Sequence, residues 1–286
     1  MTDHNVSQNP QSDDWAGEMG LKWLANLSLF EEMIAPIGSA LLARADYQPG
    51  ETVIDLGCGG GATTIAIAKA VADTGRVMGI DISPDLIAAA QDRARQSGQS
   101  NIGFTCSDAT IVELRDAPYD RLFSRFGSMF FDEPQIAFSH LHGLLKKGGR
   151  IDLAVWGPPR DNLWMMEMMG VVKNHVDVPK AIPRAPGPFA FEEVQYLEEI
   201  LCGSGFGAVD VTAYEGLQPV GGLGASPDQA VTFALTSMAA GRLLREAGDA
   251  VFEAARQEMT ELFAKHYIPG EGVMMRGKAW LVSALS

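Results

Sequence analysis

The run Val53-Ile54-Asp55-Leu56-Gly57-Cys58-Gly59-Gly60-Gly61 constrains this chain more than any other stretch. A β-branched apolar segment leads directly into clustered glycines, and a helical pattern starts at once at Ala62-Thr63-Thr64-Ile65-Ala66. Strand, glycine turn and helix N-terminus together let backbone amides approach a nucleotide-like ligand. The spacing itself fits two cofactor classes. Gly57, Gly59 and Gly61 read as G-x-G-x-G, while Gly57, Gly59 and Ala62 satisfy the G-x-G-x-x-G/A dinucleotide fingerprint.

The downstream order narrows the choice. Arg76-Val77-Met78-Gly79-Ile80-Asp81 reads as a second apolar strand ending in a carboxylate, suited to accept from two ribose hydroxyls. Residues 101–106 read as a third strand, followed by Ser107-Asp108-Ala109 at the carboxyl edge of the sheet, where open α/β folds bind ligands. Ser83 and Pro84 give the next helix an N-cap and a first turn, and Leu86, Ile87, Ala90 and Ala94 recur at helical spacing. Residues 119–126 read as strand four and 151–156 as strand five. Between them, Asp132 and Gln135 have capping-box spacing, and Gly148 suits the helix C-terminus. Residues 19–45 read as helical with a break or kink at Pro36. Beyond Trp156 the pattern predicts a helix over 194–202, a strand over 208–214, a helical region from a capping box at Ser226 and Gln229 to about residue 266 divided at Gly248, and a closing strand over 274–284. Alternating strands and helices predict an α/β fold with a mostly parallel sheet and helices on both faces.

The segments Asp55 to Gly61, Asp81-Ile82, Asp108-Ala109, Ser124-Arg125-Phe126-Gly127-Ser128-Met129-Phe130-Phe131 and Leu144-Leu145-Lys146-Lys147-Gly148-Gly149-Arg150 together resemble the class I S-adenosylmethionine-dependent methyltransferases. Lys147 stands where proline is usual in the last of these. Trp15 through Trp23 to Pro36, and Pro186-Gly187-Pro188-Phe189-Ala190-Phe191, resemble small-molecule members of the group. The resemblance implies a Rossmann-like, seven-stranded sheet with an antiparallel last strand and helical cap insertions. It implies one methyltransferase domain over residues 15–286 behind a flexible tail at 1–14, with a helical lid at 15–48 and cap segments at 157–200 and 216–270.

The same resemblance implies a site for S-adenosylmethionine. Gly57, Cys58, Gly59 and Gly61 would pass close to its methionyl and ribose parts. Asp55 would orient the loop or the cofactor's amino group, Asp81 would accept from the ribose, and Ile82 would pack on the adenine. Asp108 and the Ala109 amide would meet the adenine edge. Trp23 and Arg125 complete the cofactor set, Arg125 as a side chain that either holds a carboxylate or pairs with a structural acid. Phe130, Phe131 and Trp164 are expected to face a small apolar or aromatic acceptor. Met165, Met166, Met168 and Met169 add adaptable apolar surface or simply core. His175 and His266, in the cap segments, are the candidates for a general base. Methyl transfer by in-line displacement at the sulfonium requires no metal. An NAD(P)-dependent oxidoreductase shares the glycine loop, but Asp55, Asp108 and the absence of a Tyr-x-x-x-Lys pair argue against it. A non-catalytic S-adenosylmethionine-binding module is the remaining alternative.

Composition excludes other partners. Formal net charge is −14, with no dense Lys/Arg stripe, so nucleic acid and anionic membrane surfaces are not expected. The three cysteines, Cys58, Cys106 and Cys202, are scattered without metal-ligand spacing, which suggests a reducing, cytoplasmic setting. No apolar run reaches membrane-spanning length. A small-molecule substrate is the expected partner, and a homodimer is left open.

Overall fold

Apolar runs flanked by glycine turns become the central strands of one sheet because both of their faces are covered by helices. The computed structural model describes residues 15–286; the tail read at 1–14 lies outside the described residues. Strands β1 (Thr52–Leu56), β2 (Arg76–Asp81), β3 (Ile102–Cys106), β4 (Tyr119–Arg125), β5 (Leu145–Trp156), β6 (Gly207–Val220) and β8 (Gly272–Leu285) lie in the order β3-β2-β1-β4-β5-β8-β6. The first five run parallel. β8 enters antiparallel between β5 and β6, pairing Ala154 with Leu281 and Thr212 with Leu281 on its two sides. The expected seven strands become eight because β7 (Tyr267–Ile268) folds back onto the start of β8.

The helices are α1 (Glu18–Ala25), α2 (Leu27–Ala45), α3 (Ala62–Val71), α4 (Pro84–Ser97), α5 (Pro134–Gly143), α6 (Leu163–His175), α7 (Val194–Gly203), α8 (Pro227–Ser237), α9 (Ala239–Glu246) and α10 (Asp249–Ala264). Ser83 caps α4, and Ser226 with Gln229 forms the capping box expected for α8. The buried apolar side chains of sheet and helices join in one continuous core.

Several local expectations give way to packing. The N-terminal helical region breaks at Asn26, whereas Pro36 lies inside α2. Burial of Met33, Ile34, Ile37 and Leu41 on the turns around Pro36 outweighs the one backbone bond that proline removes. Asp132 does not cap α5. The helix starts at Pro134 after Glu133 with no side-chain cap, and Gln135 turns outward to donate to the Gly203 carbonyl at the end of α7. Gly148 is not a helix cap either: α5 ends at Gly143, and Gly148 makes a left-handed turn within β5. The region expected as two helices before residue 266 is three, broken also at Met238. β6 runs on to Val220, so the second inserted segment begins after it rather than at residue 216. α7 lies beside α5 on the flank of the sheet, so the end of the first expected cap segment belongs to the core layer.

A buried ion pair fixes α2 over the sheet. Arg121 donates to Asp152 at 2.9 Å and to the Ala45 carbonyl at 2.6 Å, joining β4, β5 and the end of α2. Arg150 reaches the same carboxylate, and the Arg44 carbonyl.

Candidate active site

The glycines of the loop divide into two jobs. Gly57 and Gly59, at φ 64° and 53°, shape the turn itself. A methyl on Gly57 would stand 2.6 Å from the Gly127 Cα, so the loop after β1 and the turn after β4 touch backbone to backbone. Gly61 sits at the N-cap of α3, and a methyl there would press on Ala90 of α4 at 3.0 Å. Gly57, Cys58, Gly59 and Gly60 face a cavity of about 480 Å³; Gly61 does not.

Asp55 lies behind the loop. Its Oδ2 accepts from the hydroxyls of Thr63 at 2.8 Å and Thr64 at 2.6 Å, which pins β1 to the first turn of α3. It is 1% exposed and absent from the cavity wall. Burial pushes its carboxyl up to about 6, against the opposing pull of the two threonine hydroxyls. Of the two roles open to Asp55, the geometry is that of a loop tie.

Asp81 ends β2 at the cavity. Its Oδ2 accepts from the Gly59 amide at 2.8 Å and its Oδ1 from the Ser83 amide at 2.9 Å. Each oxygen keeps a further lone pair. Burial raises the carboxyl above its ordinary value, and the Ser83 and Gly59 amides oppose that shift. Asp108 Oδ1 accepts from the Thr110 amide and hydroxyl, both at 2.8 Å, in a tight turn that leaves Oδ2 outside those bonds. Ile82, Asp108 and Ala109 all line the same cavity. Cys58 lies there as well, its thiol pushed well up by burial and thereby held protonated.

Much of the remaining cavity wall is aromatic. Phe126 stacks on Trp156 with centroids 4.3 Å apart, and Trp156 meets Trp164 at 5.1 Å. Phe126 adopts φ 64°, a left-handed conformation that a bulky side chain rarely takes and that aims its ring at the cavity wall. Phe130, Phe131, Trp164 and Met165 line the same cavity. Of the neighbouring methionines, Met168 is core and Met166 is exposed. Above, Trp23 stacks face to face on Phe30 at 4.0 Å, and a methyl on Gly59 would lie 3.8 Å from the Trp23 indole nitrogen. Trp15 bridges Trp23 and Phe130, so α1 and its approach roof the cavity. Ser237, Met238, Ala239 and Arg242, at the α8–α9 break, close the remaining side. The sequence pattern carries no sign of this wall, which is assembled from distant segments. Arg125 ends β4 on the cavity wall.

His175 and His266 lie elsewhere. His175 pairs with Glu258 at 2.8 Å and His266 with Glu167 at 2.6 Å, and both pairs tie α6 to the α10–β7 segment. Neither histidine lines the cavity. Among the described residues, no helix is long and apolar enough to cross a membrane, and no group of three or more His, Cys, Asp or Glu side chains gathers to hold a metal.

A sheet ordered 3-2-1-4-5, with an acid ending β2 and a cleft over the point where strand order reverses, defines a Rossmann-like fold built for a nucleoside-bearing cofactor. The antiparallel β8 between β5 and β6 separates it from the 3-2-1-4-5-6 order of dinucleotide-binding proteins. Residues 53–149 match the methyltransferase-domain family. Over that stretch the chain carries a methyltransferase domain, and its strand order is that of the Rossmann-like methyltransferase fold.

Among its relatives, aklanonic acid methyltransferase DauC of a Streptomyces species is 32% identical over 42% of this chain and 54% of its own length. Phosphoethanolamine N-methyltransferase 2 of Caenorhabditis elegans is 31% identical over 39% of this chain and 25% of its own. The match thus spans about half or less of these relatives. The structure of Haemonchus contortus phosphoethanolamine N-methyltransferase 2, in complex with S-adenosyl-L-methionine, shares the fold with a TM-score of 0.58 at 15% identity, covering 96% of this chain and 59% of that one.

Proposed function

We propose that the chain transfers a methyl group from S-adenosylmethionine to a small apolar or aromatic metabolite. The observation that carries this reading is a single cavity lined both by Gly57, Gly59, Asp81 and Asp108 and by the aromatic rings of Phe126, Trp156 and Trp164. The residues fit such a cofactor. Asp81 is tethered through one bond to each oxygen and keeps acceptor capacity for ribose hydroxyls. Asp108 Oδ2 and the Ala109 amide suit the adenine edge, and Ile82 its face. Gly57, Cys58 and Gly59 would run beside the methionyl part, with Trp23 above.

The cofactor, when bound, supplies a methyl group already activated by its sulfonium charge. The protein's part is alignment and exclusion of water. Trp15, Trp23 and Phe30 close the roof, and the Phe126–Trp156–Trp164 wall presents flat apolar surface to an acceptor. The acids on the wall are already engaged: Glu31 with Arg93, Asp81 with two amides, and Asp108 with Thr110. We therefore assign no general base. The relatives named for aklanonic acid and for phosphoethanolamine support a small-molecule acceptor.

Calorimetric titration tests the reading. S-adenosylhomocysteine should bind and NADH should not; the reverse result would make the chain an oxidoreductase. Methyl transfer to at least one member of an aromatic metabolite panel separates an enzyme from a binding module.

A further inference from the structure

Arg125 lines the cavity at the end of β4, and the fold makes room for it. A methyl on Gly38 of α2 would stand 2.8 Å from its Nη1 and 2.9 Å from its Cδ, so the guanidinium lies in a notch that the helix provides by lacking a side chain there. Among the described residues it makes no hydrogen bond and no ion pair. Arg121 by contrast has Asp152 and Glu51, Arg93 has Glu31, Arg150 has Asp152 and Arg44 has Asp210, while Arg242, the other arginine on the cavity wall, is exposed to solvent. The two nearest acids are engaged elsewhere. Glu31 holds Arg93 through both oxygens at 2.7 and 2.8 Å, and Asp55 holds Thr63 and Thr64. Burial lowers the affinity of Arg125 for its proton, yet a guanidinium stays charged in proteins.

A partly buried guanidinium on a cavity wall with no protein partner is free to take an anionic ligand. We propose that Arg125 is the carboxylate anchor of this cavity. Its planar fork matches a carboxylate through two parallel bonds. One guanidinium balances one negative charge, whereas a phosphate dianion would leave residual charge buried. The carboxylate has two chemical sources, the amino-acid tail of the cofactor or an acid group on the acceptor. The first source rests on the cofactor reading above.

Calorimetry on the wild type, Arg125→Leu and Gly38→Ala distinguishes them with two probe pairs. S-adenosylhomocysteine is compared with 5′-methylthioadenosine, which lacks the amino-acid tail. Naphthalene-2-carboxylate is compared with naphthalene-2-carboxamide. Arg125→Leu should weaken the carboxylate member of one pair about ten- to a hundredfold and leave its partner within about twofold. Loss confined to S-adenosylhomocysteine names the cofactor as source; loss confined to the naphthoate names the acceptor. Gly38→Ala keeps the charge, favours the helix and displaces the guanidinium, so the same pair should weaken to a smaller degree. That variant carries the test if Arg125→Leu does not fold. If both members of both pairs respond alike, the inference is overturned. A wild type that binds neither nucleoside would sink the cofactor reading instead, and the naphthoate pair would still judge Arg125.

Discussion

Gly57→Ala asks whether the loop after β1 requires glycine for its backbone angle alone or also for contact. Gly148→Ala is the control, because both residues have positive φ, 64° and 76°. At Gly148 an added methyl meets nothing within 4 Å, and at Gly57 it meets the Gly127 Cα at 2.6 Å. The left-handed conformation costs an alanine about 1–2 kcal/mol at either site. Forcing a methyl into closed packing costs about 1–3 kcal/mol more, and only at Gly57. Gly57→Ala should therefore lose about 2–5 kcal/mol and Gly148→Ala about 1–2 kcal/mol. Urea unfolding reads both as shifts in midpoint at unchanged slope. The displaced Gly127 backbone would also disturb the cavity wall, so S-adenosylhomocysteine affinity should fall in Gly57→Ala alone. Equal destabilisation of the two variants would refute the contact argument and leave backbone angle as the whole reason for glycine.

Three further outcomes are expected. Asp81→Ala should weaken S-adenosylhomocysteine binding by about 1–3 kcal/mol, the scale of a lost charge-assisted acceptor, and unchanged calorimetric affinity would remove Asp81 from the site. Asp55 has a folded-state pKa of about 6, raised by burial, so the folded chain holds its proton more tightly than the unfolded chain does. Stability from this group is therefore greatest below its unfolded value and falls as pH rises to about 6. Asp55→Asn keeps an oxygen for Thr63 and Thr64 and should remove that slope. If wild type and variant show the same loss of unfolding free energy between pH 4 and pH 7, the pKa assignment is wrong. His175→Ala and His266→Ala should cost no more than about 1 kcal/mol each, since their carboxylate partners are partly exposed. Both variants should retain nucleoside affinity, and a tenfold loss in either would place that histidine at the cavity after all.

The elements legible in advance are those whose cause is local. The glycine loop, the Ser83 cap and the Ser226 capping box are specified within four residues of chain, and each forms. Pro36, Asp132 and Gly148 carry equally clear local signals that fail, because burial along α2, the reach of Gln135 to α7 and the pairing of β5 decide those positions instead. The same division runs through the site. Asp81 and Asp108 stand where strand order alone would put them, at the ends of successive parallel strands. Asp55 could not be read that way, since nothing in its neighbours' identity says whether it faces the cavity or the threonines of α3. The aromatic wall was least legible of all. Phe130, Phe131 and Trp164 are expected there, but Phe126, Trp156 and Met238 join them from other segments, and only tertiary packing brings them together.

The inserted segment that supplies Ser237, Met238 and Arg242 to the cavity wall leaves the sheet at Val220 and returns at Val273, and those two residues are cross-strand partners. Its entry and exit are thus separated by one strand spacing, about 5 Å. A two-residue turn could join them and turn β6 and β8 into an ordinary hairpin with the ladder intact. The segment can lengthen, shorten or be exchanged without altering strand register or the glycine loop. What limits such exchange is the apolar surface beneath α8, where Phe233 packs edge-on against Phe30. A graft that supplies an equivalent ring there would reshape this side of the cavity while keeping the Phe30–Trp23 stack in place.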